Sequence, residues 1–302
     1  MPIVRANNID LFYKDRGAPD APVILLIMGL GTQLTAWPKT FVKALKKAGF
    51  RVIRYDNRDI GKSTHLHDAP SPNLLWAMAA KRFGLSVPLG YSLDDMADDA
   101  VALMDELGIP AAHVVGASMG GMIAQIMAAK APERVLSLTS IMSSSGAPGL
   151  PGPALQVRKA LLAPRSARPP RATATARRAR TLELVSFPDA ARKPDAFRSM
   201  AERDFDRAYN PMGTRRQLLA IIADGSRADR LARVQAPTLV VHGAADPLIP
   251  LACSEDIVRR IPGARLEVID EMAHDLPPSQ MPRLAELIVG HARSAEELRR
   301  AA

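Results

Sequence analysis

Apolar positions follow two rhythms along this chain. Short unbroken aliphatic runs end in glycine, proline or polar loops, and stretches with apolar residues every three or four positions lie between them. Val23–Ile27 is continuously apolar and runs into Met28-Gly29-Leu30-Gly31, which predicts a buried strand entering a glycine loop. Arg51–Tyr55, His113–Val115, Val135–Met142, Thr238–His242 and Leu266–Ile269 predict further strands, and Ile3–Lys14 predicts two more around the turn-prone pair Asn7-Asn8. Helical spacing marks Phe41–Lys47, Met119–Ala129, a stretch around Ser254–Ile261 and Arg283–Arg300. Ser92–Leu107 carries its own signals: Ser92 can cap it, Asp94 and Asp95 suit its positive N-terminus, and Gly108 and Pro110 stop it. Strands alternating with helices predict an α/β fold whose mostly parallel sheet is flanked by helices on both faces. No internal repeat is evident.

From about Ser143 to Arg233 the alternation breaks. The segment opens with the glycine- and proline-rich run Gly146–Pro153, passes through the Arg-, Pro-, Ala- and Thr-rich stretch Arg165–Arg180, and regains a helical pattern at Gln217–Ala223. It reads as a helical lid inserted over the sheet's C-terminal edge, with a mobile stretch near Arg165–Thr175. The expected division is therefore a core of residues 1–143 and 234–302 with a cap of residues 144–233.

Composition narrows the picture. A chain of 302 residues that is 47% hydrophobic and 24% charged is not a disordered one, and its longest apolar runs are strand-sized, far short of a membrane span. The start, Met1 to Asn8, has no basic-then-apolar leader pattern, and the lone Cys253 excludes an internal disulfide and a cysteine-based zinc site. These features predict a cytoplasmic protein. The net charge of +9 sits in one place: Arg158–Arg233 holds 18 basic and 8 acidic residues, which leaves the remainder at −1. Such a block can attract polyanions, but it lacks the aromatic interleaving of an RNA-binding surface and reads as a solvated, arginine-rich face; no nucleic-acid partner is expected.

The chemistry centres on Gly116-Ala117-Ser118-Met119-Gly120, between a β-branched strand and an apolar helix. A nucleophilic serine has to project from a tight, strained turn, which demands small neighbours, and the following helix aims its free N–H groups at the reacting centre. Serine needs a base, and the base needs an acid to orient it. His274 lies in Met272–Pro277, just past the strand Leu266–Ile269, and Asp246 lies in Gly243–Pro247, just past Thr238–His242. All three residues fall at strand C-terminal ends, in the chain order Ser, Asp, His. Backbone N–H groups of Met119 and Leu30 are the expected oxyanion donors, the second presented by the loop around Gly29. That loop lacks the three-glycine spacing of a dinucleotide site.

The remaining candidates read as structural. His113 and His242 bound strands and should be core residues. His65 and His67 have only Asp68 as a nearby carboxylate, His291 should be solvated on the last helix, and Cys253 should be a packed small residue. In the insertion, Phe187, Phe197, Phe205 and Tyr209 are the aromatic candidates for a substrate pocket, and of the adjacent Arg215 and Arg216 at most one can face it.

Met28–Gly31 with Ala36-Trp37-Pro38, Ile53–Asp59 with Gly61 and Ser63-Thr64, Gly116–Gly120, Asp246–Pro250 and Met272–Pro277 occur in this order. Together they resemble the α/β-hydrolase superfamily over nearly the whole chain, and are similar to its serine-triad carboxylesterase-like branch, that of aclacinomycin methylesterase. The resemblance implies a Ser118–Asp246–His274 triad, a helical cap between the strand ending near Met142 and the strand starting at Thr238, a small-molecule ester substrate, no metal and no organic cofactor. Many members carry a histidine before the oxyanion-loop glycine, where this chain has Met28, so a side-chain hydrogen bond that steadies the loop is lost. Asp59, a glycine in many members, is shared with the carboxylesterase-like branch. Serine at 118 argues against the epoxide hydrolases and haloalkane dehalogenases of this scaffold, which use aspartate. Carbon–carbon bond hydrolases, cofactor-free haloperoxidases or perhydrolases, and non-catalytic small-ligand receptors keep the same three residues, and monomer and homodimer are equally open.

Overall fold

Ile3–Ala6 (β1) and Ile9–Arg16 (β2) form an antiparallel hairpin turned by Asn7 and Asn8, both at positive φ, where asparagine is among the residues best tolerated. The computed structural model describes residues 2–163 and 169–301. Val23–Ile27 (β3), Lys39–Lys47 (α1), Arg51–Tyr55 (β4), Leu74–Arg82 (α2), Leu93–Glu106 (α3), Ala112–Ala117 (β5), Met119–Lys130 (α4) and Val135–Ile141 (β6) follow. Then come five helices in succession: Leu155–Leu162 (α5), Arg171–Val185 (α6), Ala196–Arg207 (α7), Pro211–Asp224 (α8) and Ala228–Leu231 (α9). Thr238–Gly243 (β7), Ala252–Arg260 (α10), Arg265–Ile269 (β8) and Met281–Ala301 (α11) complete the chain.

The sheet runs β1-β2-β4-β3-β5-β6-β7-β8 and is parallel from β4 to β8. Side chains on a strand point alternately to its two faces, so a strand covered on both must be apolar throughout. β3 shows this directly. Val23, Leu25 and Ile27 pack with α3 and α4 residues such as Met96, Leu103 and Ile123, whereas Ile24 and Leu26 pack with Phe41 and Leu45 of α1 and Leu284 and Ile288 of α11. Parallel order puts the loops leaving β3, β5, β7 and β8 at one edge, where the glycine loop, Ser118, Asp246 and His274 lie. Ser92 caps α3 in a reciprocal box with Asp95.

The structure adds to the expected elements at two places and corrects the expectation at His291. α2 falls in a stretch for which no element was expected. Its N-cap Asn73 accepts from Leu75 N and Trp76 N, but Leu75, Trp76 and Met78 are exposed, so no apolar stripe announces the helix. His291 is buried, at 5% exposure. It continues the stripe Leu284, Ile288, Ala292 and Ala295 against the sheet, and its Nε2 lies 3.2 and 3.1 Å from Leu138 O and Pro237 O. Burial, helped by the Arg265 cation, pushes its pKa down to about 4. Finally, of the stretch expected to be mobile, Arg171–Thr175 is the start of α6, while residues 165–168 lie outside the described ones. His113, His242 and Cys253 are buried, as expected. Among the described residues no helix is long and apolar enough to cross a membrane.

Candidate active site

Ser118 joins β5 to α4 with φ 56° and ψ −119°, a strained conformation for a residue with a side chain. Its flanking glycines make the turn possible. A Cβ on Gly116 would come within 2.1 Å of Gly120 O, and one on Gly120 within 2.1 Å of Ile27 O. The turn is held by Ser118 N donating to Ile141 O and by the Ser143 hydroxyl donating to Ser118 O. Gly29 lies against the serine: a Cβ there would meet Ser118 Cβ at 3.0 Å.

His274 Nε2 is 2.9 Å from Ser118 Oγ, and His274 Nδ1 is 2.7 Å from Asp246 Oδ2. The other carboxylate oxygen, Oδ1, accepts from Leu248 N and Ile249 N, so the acid is fixed from two sides. This network assigns the imidazole proton to Nδ1 and leaves Nε2 to accept from the serine hydroxyl. His242 lies 3.6 Å from Asp246 Oδ2, but its Nε2 donates to Ile249 O, and burial lowers its pKa, which keeps it neutral.

The glycine loop is set by residues that sequence reasoning missed. Asn57 Nδ2 donates to Met28 O at 2.9 Å, a side-chain tether for a loop that has Met28 in place of histidine. Gln217 of α8 accepts from Gly31 N at 2.8 Å and donates to Arg58 O at 2.9 Å. Gly31 N is thereby occupied, whereas no backbone acceptor among the described residues takes the Leu30 or Met119 N–H.

Side chains of the insertion reach the same edge. Asp56 pairs with Arg207, Asp59 with Arg216, and Asp275, next to His274, with Arg192. His274 N also donates to Val185 O at the end of α6. Part of the basic segment is therefore internal and not the solvated face expected from composition: Arg216 and Arg227 are 3% and 2% exposed. Arg216 is taken up by Asp59 and Arg215 donates to Pro72 O. A cavity of about 130 Å³ lies between the glycine loop and α6, α7 and α8, with Gly31, Ile60, Arg178, Asp204, Phe205 and Tyr209 on its walls. Two of the four expected aromatics are there; Phe197 instead lies under Arg192, and Phe187 N donates to Asp275. Among the described residues no cluster of three or more His, Cys, Asp or Glu could hold a metal ion.

Comparison with known proteins agrees with this architecture. The family model described as the alpha/beta hydrolase fold matches residues 22–278. Rhodomycin D methylesterase DauP of Streptomyces sp. strain C5 is 30% identical, over 97% of this chain and 98% of that protein. The enol-lactonase from Burkholderia xenovorans LB400 superposes with a TM-score of 0.73 at 23% identity, covering 96% of this chain and 99% of that one. The meta-cleavage product hydrolase CumD from Pseudomonas fluorescens IP01 does so with a TM-score of 0.75 at 19% identity, covering 98% of each; these two likenesses concern the fold. With the strand order, the helices on both faces and the strained serine turn, these matches show that the chain belongs to the α/β-hydrolase fold family.

Proposed function

We propose that this protein is a serine hydrolase of carboxylic esters of small to medium molecules, working through an acyl-enzyme on Ser118. The observation that carries the reading is the hydrogen-bonded chain Ser118–His274–Asp246, together with the Leu30 and Met119 backbone N–H groups, which no backbone acceptor among the described residues takes. Its likeness to a methylesterase along nearly the whole chain supports an ester substrate.

His274 Nε2 takes the hydroxyl proton as Ser118 Oγ attacks the ester carbonyl carbon. Negative charge gathers on the former carbonyl oxygen, where Leu30 N–H and Met119 N–H receive it; one such donor is worth about 2.7–4 kcal/mol in the transition state. The tetrahedral species collapses, the proton passes from His274 to the leaving alkoxide, and the alcohol departs. Water then loses a proton to the same nitrogen, attacks the acyl carbon and releases the acid, restoring the serine hydroxyl. Asp246 holds the imidazole tautomer and offsets its charge while it is protonated. In this reading residues 144–233 are the cap that selects the substrate, supported by the contacts of α6, α7 and α8 with the glycine loop and the histidine.

Steady-state hydrolysis of nitrophenyl esters of increasing acyl length, with Ser118→Ala alongside, tests the reading. The expected result is turnover that peaks at one chain length and is lost in the variant. A folded wild-type protein without turnover, or a variant as active as wild type, would overturn it.

A further inference from the structure

The cavity beside the glycine loop contains an unusual pair. Arg178 of α6 donates from Nη2 to Thr32 Oγ1 at 3.1 Å, and Thr32 Oγ1 donates to Leu30 O at 3.0 Å, so this cation is wired to the loop that presents Leu30. Asp204 of α7, on the same cavity, accepts from Thr35 Oγ1 at a long 3.4 Å. Each side chain feels the other's charge, and burial pushes the Asp204 carboxyl up, yet among the described residues no direct ion pair joins them. Beside them Phe205 and Tyr209 form a tilted ring pair with centroids 4.6 Å apart, and both line the cavity.

A guanidinium only donates hydrogen bonds and a carboxylate only accepts them. A group bridging the two has to accept from one and donate to the other, which a hydroxyl does. A ligand carboxylate would face Asp204, and a ligand ammonium would face Arg178. The aromatic pair adds apolar wall beside these polar groups, and about 130 Å³ is close to the ~150 Å³ cavity that takes up a benzene ring.

We infer that Arg178, Asp204 and the Phe205–Tyr209 pair form a subsite for a neutral, hydroxyl-bearing ring on the part of the substrate remote from the scissile bond. The assignment deepens the esterase reading and rests on it for the identity of the bond cleaved. It makes the insertion a reader of hydroxyl position as well as of size. Both a polyhydroxylated aromatic ring and a sugar ring carry this chemistry.

The test measures binding, so that it does not depend on turnover. Calorimetric titration of the Ser118→Ala protein uses methyl 3-(3,4-dihydroxyphenyl)propanoate and the methyl ester of a glucuronoside, each against its deoxygenated counterpart. At least one hydroxylated ester is expected to bind tenfold or more tighter than its control, and which one does so identifies the ring. Arg178→Met and Asp204→Asn, made in the same background, are expected to bring that ratio close to one. Equal binding of both members of both pairs would overturn the subsite and leave a water-filled gap; so would a ratio that survives both substitutions. Either result leaves the nitrophenyl ester experiment untouched, so the two readings fail separately.

Discussion

The reacting edge of the core and the helical insertion above it are held by different forces. Ser118, Asp246 and His274 are placed by backbone: Ser118 N to Ile141 O, Asp246 N to Gly243 O, and Ala245 N to Met272 O. The insertion is joined to that edge chiefly by side chains, with Arg207 on Asp56, Arg216 on Asp59, Arg192 on Asp275 and Gln217 on Gly31 N, beside the backbone bond from His274 N to Val185 O. Backbone bonds at strand ends leave little choice of geometry. Buried ion pairs do not add much net stability, but they penalise any arrangement that separates the partners. The core thus places the proposed triad, and the insertion is registered on it largely through charged side chains.

The difference can be broken on either side. The largest effect is expected at the core: His274→Ala should lower kcat by about 10⁶-fold, with the thermal midpoint little changed, as steady-state kinetics and melting curves on one preparation will show. On the insertion side, Arg216→Met strands the fully buried Asp59 carboxylate and should cost about 3–5 kcal/mol of stability. In urea titrations Arg216→Met/Asp59→Asn should recover most of that loss, because the penalty comes from the unpaired charge; a double variant as unstable as the single would contradict the account.

A third test uses acid. His291 has a folded pKa of about 4 against an ordinary 6.5, so the unfolded chain binds the proton more readily. Its contribution is complete above pH 6.5 and is lost as the pH falls towards 4, a change of about 3 kcal/mol. Urea midpoints between those pH values should fall less steeply in His291→Gln. A smaller effect concerns the link between the two regions. Gln217→Leu releases Gly31 N and should lower kcat by about ten- to a hundredfold, the range of one buried hydrogen bond. KM should move less. Leu30→Ala, which keeps the backbone donor, should stay within about twofold.

This contrast also explains what could be read from the sequence. β3 and β4 match their apolar runs residue for residue, and α3 matches its cap and stop signals, because period and capping are local properties. That Ser118, Asp246 and His274 would meet was legible because parallel strands bring the loops that follow them to one edge. Asn57 and Gln217 were not, since nothing local marks an amide that will meet a glycine loop 29 or 186 residues away. The basic segment misled for the same reason: composition counts the arginines but not the aspartates they find. His291 was the avoidable error, lying on an apolar stripe that its residue type obscured.

The central claim is that Ser118 carries the acyl group. Its most direct test is to quench the wild-type protein in acid during turnover of a 4-nitrophenyl ester and locate the acyl group by peptide mass spectrometry. The account predicts an acylated peptide modified at Ser118, and none in Ser118→Ala. Multiple turnovers with no acyl group on Ser118, or acylation at another residue that keeps pace with turnover, would contradict it.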